Sequence, residues 1–154
     1  DIIDYMKRKH NILIGERTAE QIKINVGAAI ADLADAPPKY AVNGRDMLTG
    51  IPKQVFTTHV EVAEALDKSI AKIEEAVLKA LEDTPPELSS DIYRTGIYLT
   101  GGGALLRGLD RRMAAKTKLN VHIADDPLRA VVRGTGIALK NSHKYSFLMD
   151  RKSI

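Results

Sequence analysis

Three consecutive glycines constrain this 154-residue chain more than any other feature. They sit in Gly96-Ile97-Tyr98-Leu99-Thr100-Gly101-Gly102-Gly103-Ala104-Leu105-Leu106-Arg107-Gly108. Ile97 to Thr100 are β-branched, aromatic or apolar, without a charge, and predict a short buried strand. The glycines then remove every side chain where the backbone turns, so another molecule can lie close to the main chain. Ala104 to Thr117 reads as a helix, with Leu105, Leu109 and Met113 on one face and Arg107, Asp110, Arg111 and Lys116 around the rest. Strand, glycine turn and helix imply an α/β fold.

Such a turn admits three readings. A phosphate can sit on the unpaired N–H groups of a helix N-terminus; a flat base or ribose can rest on bare backbone; or the turn is only a tight connection. The dinucleotide fingerprint G-x-G-x-x-G/A is half present. Gly101 and Gly103 match, Leu106 occupies the third position, and Asp125 and Asp126 follow at about the distance of a ribose-binding acid. A Rossmann-like enzyme domain that binds a nucleotide cofactor therefore stays open as an alternative.

The remaining sequence reads as helices and a small sheet. Residues 1 to 9 form a helix with a basic C-terminal end, which begins without a cap or initiator Met and suggests part of a longer chain. A second helix runs from Gly15 to Gly27, burying Ala19, Ile22, Val26 and Ala29 while Glu16, Glu20 and Lys23 share an exposed stripe. Asp35-Ala36-Pro37-Pro38 breaks the pattern. Lys39 to Arg45 and Ile51 to Thr58 predict an antiparallel hairpin.

Val62, Leu66, Ile70, Ile73, Val77 and Leu81 then mark a long helix, with Glu74 among the charges on its polar side. Glu87 to Arg94 predicts a short helix, and Asn120 to Ala124 a strand. Asp125-Asp126-Pro127 starts a last helix whose buried face is Leu128, Val131, Val132, Thr135 and Leu139. Gly134 and Gly136 in that helix suggest close approach to another backbone. Three units follow: a small α/β subdomain over 1–58, part of a larger subdomain over 59–140, and a tail over 141–154 whose default reading is a disordered end.

Composition narrows the function classes. The chain has no Cys and no Trp, so disulfides, thiolate metal sites and cysteine nucleophiles are excluded. The net charge of +3 arises from 23 basic and 20 acidic residues, and aromatics make up 5%. Neither a basic patch nor a stacking platform for nucleic acid emerges. No catalytic constellation is evident, and His10, His59, His122 and His143 have no partner at metal-ligand spacing.

Four segments together resemble the C-terminal half of the bacterial actin homologues of the MreB and Mbl family. They are Ile14 to Lys23, Asp83-Thr84-Pro85-Pro86-Glu87-Leu88, Gly96 through Leu109, and Asp126-Pro127-Leu128 with Gly134-Thr135-Gly136. The resemblance covers roughly residues 1 to 140. It implies an actin-like, ribonuclease H-like ATPase lobe, with 1–58 as subdomain IIB and 59–140 as part of subdomain IIA.

It further implies ATP with Mg²⁺ in the full-length protein, filaments built from copies of the chain, and a role in rod cell shape. The expected setting is the cytoplasm beneath the membrane, with cell-shape and wall-synthesis membrane proteins as partners. Carried over by position, Glu20, Gln21, Ile22 and Lys23 face adenosine, with Glu20 and Lys23 as the polar contacts. Thr100, Gly101, Gly102 and Gly103 form the turn on which adenine and ribose rest. The family's two phosphate loops precede the matching region and are not in this sequence. The chain is therefore expected to carry only the purine and ribose side of the site, and alone neither to hydrolyse ATP nor to bind it tightly.

Overall fold

A computed structural model describes residues 1–146. The expectation for residues 147–154 of the tail lies outside the described residues, whereas 141–146 form turns after the last helix.

The small lobe forms around one apolar cluster. Helix α1 (Ile2–His10) buries Ile2, Tyr5 and Met6 and ends at Asn11, whose left-handed φ of 57° turns the chain. The apolar connection that follows is in fact strand β1 (Ile12–Leu13), antiparallel to β2 (Tyr40–Asp46), with Ile12 opposite Asp46. Its two residues are too few to show any period in sequence. Gly44 makes the approach possible, because a Cβ there would lie 2.5 Å from the Leu13 carbonyl oxygen and 2.8 Å from Ile12 Cγ1. Strand β3 (Pro52–Thr57) pairs with β2 in the expected hairpin, Val42 opposite Val55. Helix α2 (Glu16–Val26) then contributes Ile22 and Val26 to a core with Ile2, Met6, Ile12, Ile14 and Val42.

Helix α3 (His59–Glu82) serves two cores. Thr58 caps it with a capping box: its side chain accepts from the Glu61 N–H, and Glu61 accepts from the Thr58 N–H. Val62 joins the small-lobe core; Ile70 joins a second cluster with Ala29, Leu109 and Met113; Leu66 packs on both. Two sequence readings of α3 need correction. Ile73 is 49% exposed, and Glu74, expected on the polar side, is 8% exposed. An Arg112 nitrogen 2.7 Å from Glu74 Oε1 satisfies that buried carboxylate.

Helix α4 (Pro86–Thr95) leads into β4 (Ile97–Leu99), which pairs in parallel with β5 (Val121–Ile123). Between them the expected single helix over 104–117 is replaced by a 3₁₀ turn, Gly102–Leu105, and a separate helix α5 (Leu109–Thr117). The break falls at Leu106, which is extended, and at Gly108, with φ of 74°. Leu109 and Met113 are buried as expected, but Leu105 is 55% exposed.

The chain's last helix, α6 (Ala130–Lys140), starts later than expected because Asp126, at φ 49°, makes a turn of Asp125-Asp126-Pro127 instead of a cap. Its expected buried face is open: Leu128, Val131, Val132 and Leu139 are 61 to 70% exposed, and Thr135 is also exposed. No heavy atom lies within 4 Å of a Cβ placed on Gly134 or Gly136, so the expected close backbone approach is absent among the described residues. β4 is likewise not fully buried, with Tyr98 exposed. Leu128 rests on the glycine turn at Gly102, and Tyr98 lies beside His122 of β5 with the ring centroids 5.0 Å apart.

Candidate functional site

The second helix supplies one wall of the site. Ile22 and Val26 are held in the core, which leaves Glu16, Glu20, Gln21, Lys23 and Ile24 exposed on the other side of α2. The Glu20 and Lys23 side chains make no hydrogen bond or ion pair among the described residues. They are available to a ligand.

The glycine turn supplies the facing wall. Gly101, at φ 81°, adopts a conformation that side chains resist, and its N–H donates to the Pro127 carbonyl at 2.7 Å. The Gly101 carbonyl accepts from the Ala104 N–H and the Gly103 carbonyl from the Leu106 N–H. Gly102 lies under Leu128, whose Cδ2 is 3.3 Å from where a Cβ would stand. Gly103 has open space before it.

Both walls border one cavity of about 500 Å³. Glu20, Lys23 and Ile24 line it from α2, Ile70 and Ile73 from α3, and Gly102 and Gly103 from the turn. Leu105, Leu106, Leu109 and Leu128 complete the lining. The volume falls within the roughly 300–1,000 Å³ usual for small-molecule sites, and an apolar enclosure with few polar groups is their usual chemistry.

Not every sequence candidate shares this position. Ile22 is fully buried in the small-lobe core, so its side chain cannot reach a ligand. Gln21, Thr100 and Gly101 lie next to lining residues without lining the cavity. Conversely, Ile24, Leu105 and Leu128 were not singled out as site residues, and all three are more than half exposed. Ile24 carried a signal in the sequence, being an apolar residue out of phase with the Ala19, Ile22, Val26 stripe.

The geometry also discriminates among the three readings of the turn. A phosphate on a helix N-terminus is disfavoured, because the glycines open a four-residue 3₁₀ turn and α5 begins only at Leu109. The dinucleotide pattern fails for the same reason: Leu106 is extended where that motif needs a helix. Asp126 is paired with Arg129 at 2.7 Å. What remains is an apolar slot with bare backbone on one side and one carboxylate and one ammonium on the other.

Two wider clefts, of about 840 and 850 Å³, lie elsewhere. The first runs past Arg111 and Arg112 and mixes charged with apolar side chains, and the second lies between α1 and α3 and is lined largely by charged side chains. Neither includes the glycine turn. Among the described residues, no group of three or more His, Asp or Glu is placed to hold a metal ion.

Comparison with known proteins gives consistent matches. The family model described as MreB/Mbl protein matches residues 1–146. Cell shape-determining protein Mbl of Bacillus subtilis is 45% identical over 144 residues, covering 94% of this chain and 43% of that protein. Cell shape-determining protein MreB of Escherichia coli K12 is 45% identical over 139 residues, covering 90% and 40%. The chain thus spans less than half the length of the curated relatives it matches.

Among solved structures, MreB5 of Spiroplasma citri bound to AMPPNP superposes with a TM-score of 0.86 at 36% identity. That match covers 93% of this chain and 42% of MreB5. The MamK double helical filament, at 19% identity and a TM-score of 0.66, shares the actin-like fold.

Proposed function

The chain belongs to the MreB/Mbl protein family, and from that premise we propose that it carries the adenosine side of the nucleotide site of an actin-like cytoskeletal protein. The observation that carries this reading is the single cavity shared by Glu20 and Lys23 with Gly102 and Gly103. A purine is flat, so it gains most where a side-chain-free backbone admits it and apolar groups cover its faces. Ile24, Ile73, Leu105 and Leu128 offer that cover and are 49 to 67% exposed. The Glu20 carboxylate accepts hydrogen bonds from the ribose hydroxyls, and the Lys23 ammonium donates to acceptors on the nucleoside.

MreB5 of Spiroplasma citri, 36% identical to this chain, is bound to AMPPNP in one crystal structure and to ADP in another. By extension we assign ATP to this site, with Mg²⁺ in the whole protein. There the triphosphate and its Mg²⁺ supply much of the attraction and the hydrolysable bond. Residues 1–58 act as the smaller subdomain and 59–140 as part of the larger one, with α3 fastened to both. In the whole protein, copies of the chain assemble into filaments that determine rod shape. Those filaments work in the cytoplasm at the membrane with cell-shape and wall-synthesis membrane proteins. No helix among the described residues is long and apolar enough to cross a membrane.

Adenosine titrated into the ¹⁵N-labelled chain tests the site. The amide signals of Glu20 to Lys23 and of Thr100 to Gly103 are expected to move together with one affinity. Movement at Asp125 without Glu20 would favour the dinucleotide alternative, and an unchanged spectrum would remove the nucleotide reading.

A further inference from the structure

The two walls of the cavity belong to segments about 80 residues apart in sequence, and what fixes their separation is a joint beside the cavity. Past Val26, the segment Gly27-Ala28-Ala29 runs alongside Leu106-Arg107-Gly108 through a parallel bridge between Ala28 and Arg107. The Ala29 N–H donates to the Arg107 carbonyl at 2.8 Å, and Arg112 Nη1 donates to the Ala29 carbonyl at 3.1 Å. Both polar groups of Ala29 are therefore held by residues that follow the glycine turn.

There is no slack at this crossing. A Cβ on Gly27 would stand 2.1 Å from the Lys23 carbonyl oxygen and 3.0 Å from Leu106 Cδ1. One on Gly108, itself at φ 74°, would stand 2.6 Å from Ile30 Cγ1. Across the joint the tightest approach is Gly108 on Ile30, whereas the shortest contact at Gly27 is with the carbonyl of its own helix.

One side chain crosses it toward the ligand wall. Arg107 Nη1 donates to the carbonyls of Ile24 and Gly27, each at 3.4 Å. These lie at the C-terminal end of α2, where carbonyls lack intrahelical partners and the helix dipole favours a cation. The Ile24 carbonyl belongs to a residue that lines the cavity, as does Leu106, the neighbour of Arg107.

We propose that Arg107 is a positioning residue for the nucleotide cavity: its guanidinium clamps the end of α2 to the loop after the glycine turn, and so sets the distance between Glu20 and Lys23 on one wall and Gly102 and Gly103 on the other. This rests on the adenosine reading of the site. Arg107 does not itself line the cavity. It acts through the helix that presents the two polar contacts, so removing it loosens the fit while leaving every contacting residue in place.

The test is an adenosine titration of the chain and three variants, followed by amide shifts at Lys23 and Gly103, with thermal melting in parallel. Arg107→Ala is expected to weaken adenosine about tenfold, since charge-assisted hydrogen bonds are the stronger ones. Arg107→Lys is expected to recover most of that loss, because an ammonium still reaches one carbonyl. Millimolar guanidinium ion is expected to restore part of the affinity of Arg107→Ala and to leave the unaltered chain unchanged.

Arg111→Ala is the control, since that guanidinium hydrogen-bonds the Asp32 carbonyl away from the cavity. It is expected to bind adenosine normally. The clamp is overturned if Arg107→Ala binds like the unaltered chain, or if both alanine variants weaken in step with their melting temperatures. Failure of the unaltered chain to respond to adenosine instead defeats the nucleotide reading, and the clamp falls with it.

Discussion

Asp46 shows how much one side chain can organise. Its carboxylate accepts from the Leu48 and Thr49 N–H groups at 2.9 Å and pairs with the Lys53 ammonium at 3.0 Å, fixing the loop between β2 and β3. The Thr49 N–H first, then Lys53 and the Leu48 N–H, hold this carboxyl far below the usual carboxylate range. A depressed folded value means the stabilisation is present above the unfolded pKa, about 4, and is lost as pH falls through the folded value. Asp46→Asn should therefore flatten the loss of stability below about pH 4. Urea midpoints should differ most near pH 6, with the unaltered chain the more stable, and converge towards pH 2; parallel curves would contradict this account. Type and spacing put Glu20 and Lys23 on one exposed stripe, but only the family resemblance marked them as site candidates. Ile22 was misplaced only because a motif carried over as a block ignores which side of the helix each member faces. Leu128 gave no sign of a place in the site, since its contact with Gly102 follows from the Gly101 to Pro127 hydrogen bond.

At the scale of elements, α3 was the easiest to read and α5 the hardest. Twenty-four residues with apolar groups every three or four positions leave little alternative to a helix, and Thr58 with Glu61 marks its start. Thr58→Ala removes one half of that capping box and should cost about 1 kcal/mol, measured as a lower urea midpoint with an unchanged slope. A loss of more than about twice that would mean Thr58 does more than cap. The segment from Ala104 to Thr117 also has helical spacing, yet it breaks at Leu106 to Gly108. Periodicity records only side-chain polarity. It carries nothing about a backbone bridge to Ala28 that holds Leu106 extended, or about the left-handed turn at Gly108. The same blindness explains why β1, two residues long, passed for a connection.

Across the whole molecule, the two apolar clusters meet at Leu66, which packs on both. Because α3 passes through both, the lobes should unfold as one unit. Leu66→Ala is expected to destabilise both by about 2 kcal/mol or more, with the amide signals of Val42 and Met113 lost at the same urea concentration. Two separate transitions would show the lobes to be independent. By itself the sequence determined the α/β class, the hairpin, the long helix and the glycine turn, because each is written in neighbouring residues by period or loss of side chains. It also determined the family, through short motifs in order. Tertiary structure alone decided which exposed groups face one another: that α2 and the glycine turn enclose a common cavity, that Glu74 is buried against Arg112, and that, among the described residues, nothing covers the apolar side of α6. Those outcomes depend on contacts between residues far apart in the chain, and burial is a property of what packs opposite, which no local pattern encodes.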